Sequence, residues 1–119
     1  MRNARAMHEV SLASALLELV CEQAAIARAS RVTRLVLEIG PFSHVDAHAL
    51  RFAVDVAARG GPAEGATLDI LEPEGTAYCI DCETSVAISA RGVPCPQCGG
   101  AKLFVQAGDE MRLKEMEVV

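Results

Sequence analysis

At 119 residues and a net charge of −5, the chain has room for one modest domain, or for one small domain with a metal-stapled module. The acidic balance argues against a general nucleic-acid binder, which would carry a basic stripe, and no stretch reaches the apolar length of a membrane span. A hydrophobic fraction of 51 % with only 3 % aromatic residues implies an aliphatic core of Leu, Val, Ile and Ala.

Residues 1–6 are basic, but Glu9 and Ser11 interrupt before a signal-peptide run can form, so a cytoplasmic setting with reduced thiols is expected. Residues 7–28 read as an amphipathic helix. Ala13, Leu16, Leu17, Val20, Ala24 and Ala27 recur at helical spacing, with Ser11, Ser14, Glu18 and Glu22 opposite. Cys21 lies inside this helix and is expected to be a small buried hydrophobe. Residues 32–39 alternate: Leu35, Leu37 and Ile39 share one face, Arg34, Val36 and Glu38 the other, and Gly40-Pro41 ends the strand. Ser43-x-x-Asp46 then resembles a capping box opening a second helix, with Val45, Ala49, Phe52, Ala53 and Val56 as its apolar stripe and Gly60-Gly61-Pro62 as its stop. Residues 67–71 form a second strand with Leu68 and Ile70 on one face.

The most informative stretch follows. Cys79-Ile80-Asp81-Cys82 and Cys95-Pro96-Gln97-Cys98 are two C-x-x-C pairs separated by twelve residues. Two residues between thiolates let a tight turn aim both sulfurs at one ion, and two such knuckles close a tetrahedron at about 2.3 Å per bond for zinc. Gly99 supplies permissive backbone after the second pair, and Pro96 fixes φ within it. Two disulfides are the alternative for these cysteines, and iron in a rubredoxin-like site is the alternative to zinc. A segment of about thirty residues cannot build a sufficient core, so the metal must drive its folding. Residues 102–106 complete a ribbon hairpin, Gly108-Asp109 turns the chain, and residues 111–118 make a last strand. Its alternation changes phase between Leu113 and Met116, through either a bulge near Lys114 or a shifted boundary.

The order α-β-α-β, metal insert, β predicts an α+β fold: two helices on a three-stranded sheet, interrupted by a four-cysteine zinc ribbon. The last strand must return to the first sheet. The expected division is 1–73 with 109–119 for the α/β domain and 74–108 for the ribbon. His44 and His48 stand four apart on the expected second helix, but lack the Glu of H-E-x-x-H and an obvious third ligand, so they read as a solvated first turn. No phosphate loop, nucleophile elbow or paired-carboxylate motif is visible, and no enzyme activity is expected.

Met7-His8-Glu9-Val10-Ser11-Leu12 at a helix start resembles the opening of the HypA/HybF family, nickel-insertion accessory proteins of NiFe-hydrogenase maturation. The likeness continues through Leu37-Glu38-Ile39-Gly40, Arg51-Phe52, both C-x-x-C pairs and Gly108-Asp109. It implies a nickel metallochaperone. His8 would bind nickel with the backbone nitrogens of Met7, His8 and Glu9, a nitrogen-rich set suited to square-planar Ni(II). Cys79, Cys82, Cys95 and Cys98 would hold structural zinc. The implied partners are the nickel-handling GTPase of the pathway and the hydrogenase large-subunit precursor, with no nucleic-acid or membrane partner and a monomeric or homodimeric chain. Residues 1–6 depart from the family pattern, in which the Met-His-Glu run comes first and brings a free amine to the metal. A zinc-ribbon interaction module without nickel and a rubredoxin-like iron protein are the other readings.

Overall fold

The computed structural model describes residues 4–119, with side chains from His8 onward. Its elements are α1 (Ala4–Ile26), β1 (Val32–Ile39), α2 (Ala47–Ala57), β2 (Thr67–Leu71), β3 (Gly75–Cys79), β4 (Thr84–Ile88), β5 (Leu103–Ala107) and β6 (Met111–Val118). They form two three-stranded sheets, ordered β2-β1-β6 and β4-β3-β5. The last strand does return to the first sheet, beside β1, giving the expected α+β fold with an inserted four-cysteine ribbon.

Helix α1 begins at Ala4 rather than at residue 7, because Ala-Arg-Ala are all strong helix formers. It ends at Ile26, two residues before the expected limit, in a Schellman closure. Arg28 takes a positive φ of 56°, its N–H bonds to Ala25 O at 3.1 Å, and the Ala29 N–H bonds to Ala24 O at 2.9 Å. Ala13, Leu16, Leu17, Val20 and Ala24 are buried as expected. Ala27 is exposed beyond the helix end. Cys21 is also exposed, contrary to expectation. At 100° per residue it lies about 85° round from the centre of the buried stripe, on the side of Ser14 and Glu18.

Asp46, not Ser43, caps α2: its carboxylate accepts the N–H groups of His48 and Ala49, while the Ser43 hydroxyl donates to Gly40 O. The buried side of α2 is Leu50, Val54 and, just past its end, Ala58. The expected stripe is displaced, with Phe52 69 % and Val56 44 % exposed. In so short and alanine-rich a helix two apolar stripes coexist, and tertiary packing selects between them. Strand β1 lies in the middle of its sheet, so Val32, Leu35, Val36, Leu37 and Ile39 are all buried and the alternation is partly lost. Arg34 on β1 joins both neighbours, bonding Asp69 of β2 at 2.6 Å and Glu117 of β6 at 2.8 Å. The chain's last residue pairs back: the Arg31 and Val119 N–H groups bond each other's carbonyl oxygens. Strand β6 is continuous over 111–118 while its half-buried positions shift phase between Leu113 and Met116.

The chain divides into two compact units. One contains α1 and the chain to Leu37, then Val45–Ile70 and Leu113–Val119; the other contains Glu38–His44 and Leu71–Arg112. In the second, β3 pairs antiparallel with β4 (Gly75 opposite Ile88, Cys79 opposite Thr84) and with β5 (Tyr78 opposite Phe104, Cys79 opposite Leu103). The segment Glu38–His44 joins this unit by bonds from Gly40 N–H to Glu110 O and from Phe42 N–H to Gly108 O. Phe42 is buried with Ala77, Cys79, Val86, Ile88 and Cys95. Its ring fills the space a Cβ would take at Gly75, and the Arg91 guanidinium lies 5.1 Å from its centroid.

Candidate metal centre

Each ribbon knuckle is built the same way. Cys79 ends β3, and the chain turns so that the Glu83 N–H bonds Cys79 O at 2.9 Å; in the second knuckle the Gly99 N–H bonds Cys95 O at 2.8 Å. The residue after each C-x-x-C pair takes a positive φ, 55° at Glu83 and 75° at Gly99. Gly99 was legible as the permissive position, whereas Glu83 fills the equivalent place without a glycine's freedom. The amides face the sulfurs: Cys82 N–H to Cys79 Sγ, Gln97 N–H to Cys95 Sγ and Gly100 N–H to Cys98 Sγ, at 3.4–3.5 Å.

All four Sγ atoms lie within 4.8 Å of one another. Cys79 and Cys98 stand 3.7 Å apart, Cys82 and Cys95 3.9 Å. A tetrahedron with bonds of about 2.3 Å has sulfur–sulfur edges of about 3.8 Å, whereas a disulfide requires about 2.05 Å. The donor set therefore fits one tetrahedral zinc ion, and the five cysteines are free thiols. Without metal the four thiols are unequal. Hydrogen bonding to the Cys98 sulfur, with burial, pushes Cys82 up to about 12. Backbone N–H groups of Cys98 and Gln97 outweigh burial at Cys95 and draw it down to about 7.

The sequence-derived nickel residues lie in the other unit. His8 is exposed at the fifth position of α1, and Met7, His8 and Glu9 are all helical. Glu9, singled out in the sequence only for its backbone, is fully buried. Its Oε2 accepts the Asp46 N–H at 2.7 Å, and its Oε1 is enclosed without a hydrogen-bond partner among the described residues. The signal was its spacing, since Glu9 falls four residues before Ala13 on the stripe that α1 buries. His44 and His48 do not share a helix as expected. His44 precedes the Asp46 cap with φ 58°, His48 is in the first turn of α2, and both are exposed. Among the described residues, the cysteine quartet is the group of three or more metal-ligating side chains brought together.

Comparison with known proteins agrees with this arrangement. A family model described as hydrogenase/urease nickel incorporation, metallochaperone, HypA, matches residues 7–118. The hydrogenase maturation factor HypA of Paracoccus denitrificans is 49 % identical over 113 residues, covering 95 % of this chain and 100 % of that protein. The factor of the same name from Azotobacter chroococcum is 49 % identical over 112 residues, 94 % of this chain and 99 % of its own. The solution structure of the Ni metallochaperone HypA from Helicobacter pylori superposes with a TM-score of 0.70 at 29 % identity, covering 93 % of this chain and 97 % of that one. With a matched stretch opening at Met7-His8-Glu9 and a cysteine quartet sized for a tetrahedral ion, the chain belongs to the HypA family of nickel-incorporation metallochaperones that serve hydrogenase maturation.

Proposed function

We propose that this protein carries Ni(II) and delivers it to the hydrogenase large-subunit precursor, working with the nickel-handling GTPase of the same maturation system. Nickel binds through the His8 imidazole and the backbone nitrogens of Met7, His8 and Glu9. Cys79, Cys82, Cys95 and Cys98 hold zinc, whose part is structural: it binds the four thiolates together and closes the ribbon. The nickel-binding domain is 1–73 with 109–119 and the ribbon is 74–108, the latter drawing on Phe42 for its core. The protein transfers a metal and catalyses no reaction, and it acts in the cytoplasm, where its free thiols stay reduced.

The observation that carries this reading is the family match from Met7 to the end of β6, which opens on the Met-His-Glu run. His8 is exposed at its place in α1, so its imidazole is open to solvent and to a metal. Among the described residues no helix is long and apolar enough to cross a membrane. The test is metal analysis and nickel titration of the purified chain beside His8→Ala. The expected outcome is one zinc in both and loss of the strong nickel site in His8→Ala alone. Equal nickel binding by both would move the site elsewhere, with His44 and His48 the next residues to substitute.

A further inference from the structure

The family match begins at Met7, yet α1 begins three residues earlier, at Ala4. The first four N–H groups of an α-helix have no partner within it, and each later one bonds the carbonyl four residues back. In a helix that starts at Ala4, the fifth and sixth amides belong to His8 and Glu9, and the i→i−4 ladder directs them to the carbonyls of Ala4 and Arg5. An amide nitrogen that binds nickel must give up its proton to solvent and turn its lone pair to the metal. It cannot do so while its N–H is held in the helical ladder. In a chain running through Met7, position 7 also offers an amide rather than an amine.

Below these residues the helix is anchored. The Glu9 side chain is fully buried, and its carboxylate holds the Asp46 N–H, the cap of α2. Among the described residues, the exposed His8 imidazole has no such tie. Unwinding from the start of α1 thus meets a fixed side chain at Glu9.

Resting on the nickel site proposed above, we propose that Ala4–Ala6 act as a helical cover on it. Nickel binds only the form in which α1 has unwound as far as Glu9, where the buried carboxylate stops the opening. The exchange is balanced: the five helical hydrogen bonds accepted by the carbonyls of residues 4–8 are lost, each metallated amide releases one proton to solvent, and nickel takes the freed nitrogens. Five such bonds weaken apparent affinity by about a hundredfold or more, because the competent form is populated by that fraction.

The cover is separable from the missing amine by keeping the full chain and weakening only its first turn. Ala4→Gly with Ala6→Gly lowers helix propensity ahead of His8 without creating an amine at Met7. With NiSO4 as the titrant, the double variant should bind about tenfold more tightly than the parent. In the parent, nickel should reduce the 222 nm circular dichroism by the signal of about one and a half helical turns. A double variant that binds like the parent, or parent binding with undiminished helical signal, overturns the cover, provided that His8→Ala has lost the site. Retained nickel binding in His8→Ala overturns the site itself and the cover with it.

Discussion

Phe42 lies far in sequence from the cysteines, yet its ring belongs to the ribbon's core, which makes Phe42→Ala the sharpest test of how that unit holds together. The ring is only 4 % exposed and packs with Cys79 and Cys95, two of the four proposed zinc ligands. Truncating a buried Phe to Ala costs about 3–5 kcal/mol, with the Arg91 contact contributing about 0.5–1 of it. The ribbon has no other core of comparable size, so its metal-free form is expected to be unfolded and the whole loss falls on zinc affinity. At about 1.4 kcal/mol per decade, zinc binding should weaken by roughly two to three and a half orders of magnitude. Competition against a chromophoric chelator reads this directly. Gly75→Ala supplies the second corner of a double-mutant cycle, because its Cβ would collide with the Phe42 ring. Gly75→Ala should weaken zinc binding alone and cost less once Phe42 is Ala, the remainder coming from the Ala107 carbonyl oxygen 2.9 Å from the added Cβ. Zinc affinity within about threefold of the parent in Phe42→Ala would refute the reasoning, and additive losses in the cycle would show that ring and glycine act separately.

Three further outcomes follow from the geometry. Cys21, exposed on α1, should react with a thiol reagent in the zinc-loaded protein within minutes, and Cys21→Ser should leave one zinc per chain; a protected Cys21 would contradict its placement. Asp46→Ala removes the cap of α2 and should lower stability in a urea titration by about 1 kcal/mol, with Asp46→Asn losing less. Zinc binds thiolates, and in an unfolded metal-free ribbon Cys79, Cys82, Cys95 and Cys98 keep the ordinary thiol value of about 8.5 and are mostly protonated at neutral pH. Zinc affinity should therefore rise steadily between pH 6 and 8, with proton release on zinc addition at pH 7.5. A flat affinity between pH 6 and 8 would count against thiolate ligation.

What could be seen in advance divides by range. The knuckles were legible because a C-x-x-C pair fixes its sulfurs through a few torsions within four residues, so spacing alone stands for geometry. The strands 67–71 and 111–118 followed from alternation, whereas the return of the last strand was a requirement of the expected fold that spacing alone does not show and the sheet order β2-β1-β6 supplies. Apart from helix boundaries, the misses concern partners distant in sequence. Cys21 and the stripe of α2 were assigned by period, but period names candidate faces and packing chooses among them: Leu50 is fully buried and Phe52 is 69 % exposed on the same three turns. Ser43 fitted a capping box by spacing, yet Asp46 is the cap because its backbone is extended there and its own N–H is held by Glu9.

Glu9 and Phe42 were the least legible residues, and for one reason. Each sits in a motif whose local meaning is complete without it: the Met-His-Glu run needs only the Glu9 backbone, and the turn after β1 needs only Gly40-Pro41. Their side chains are fixed by contacts 37 residues away at Asp46 and by packing against Gly75, Ala77 and Cys79. A buried carboxylate with one oxygen bonded and the other enclosed is costly, about 1–3 kcal/mol for the unmet hydrogen bond alone. The fold tolerates that cost beside the residue proposed to carry nickel. In the proposed opening of α1 the unwinding stops at Glu9, because its buried carboxylate holds the Asp46 N–H and with it the cap of α2.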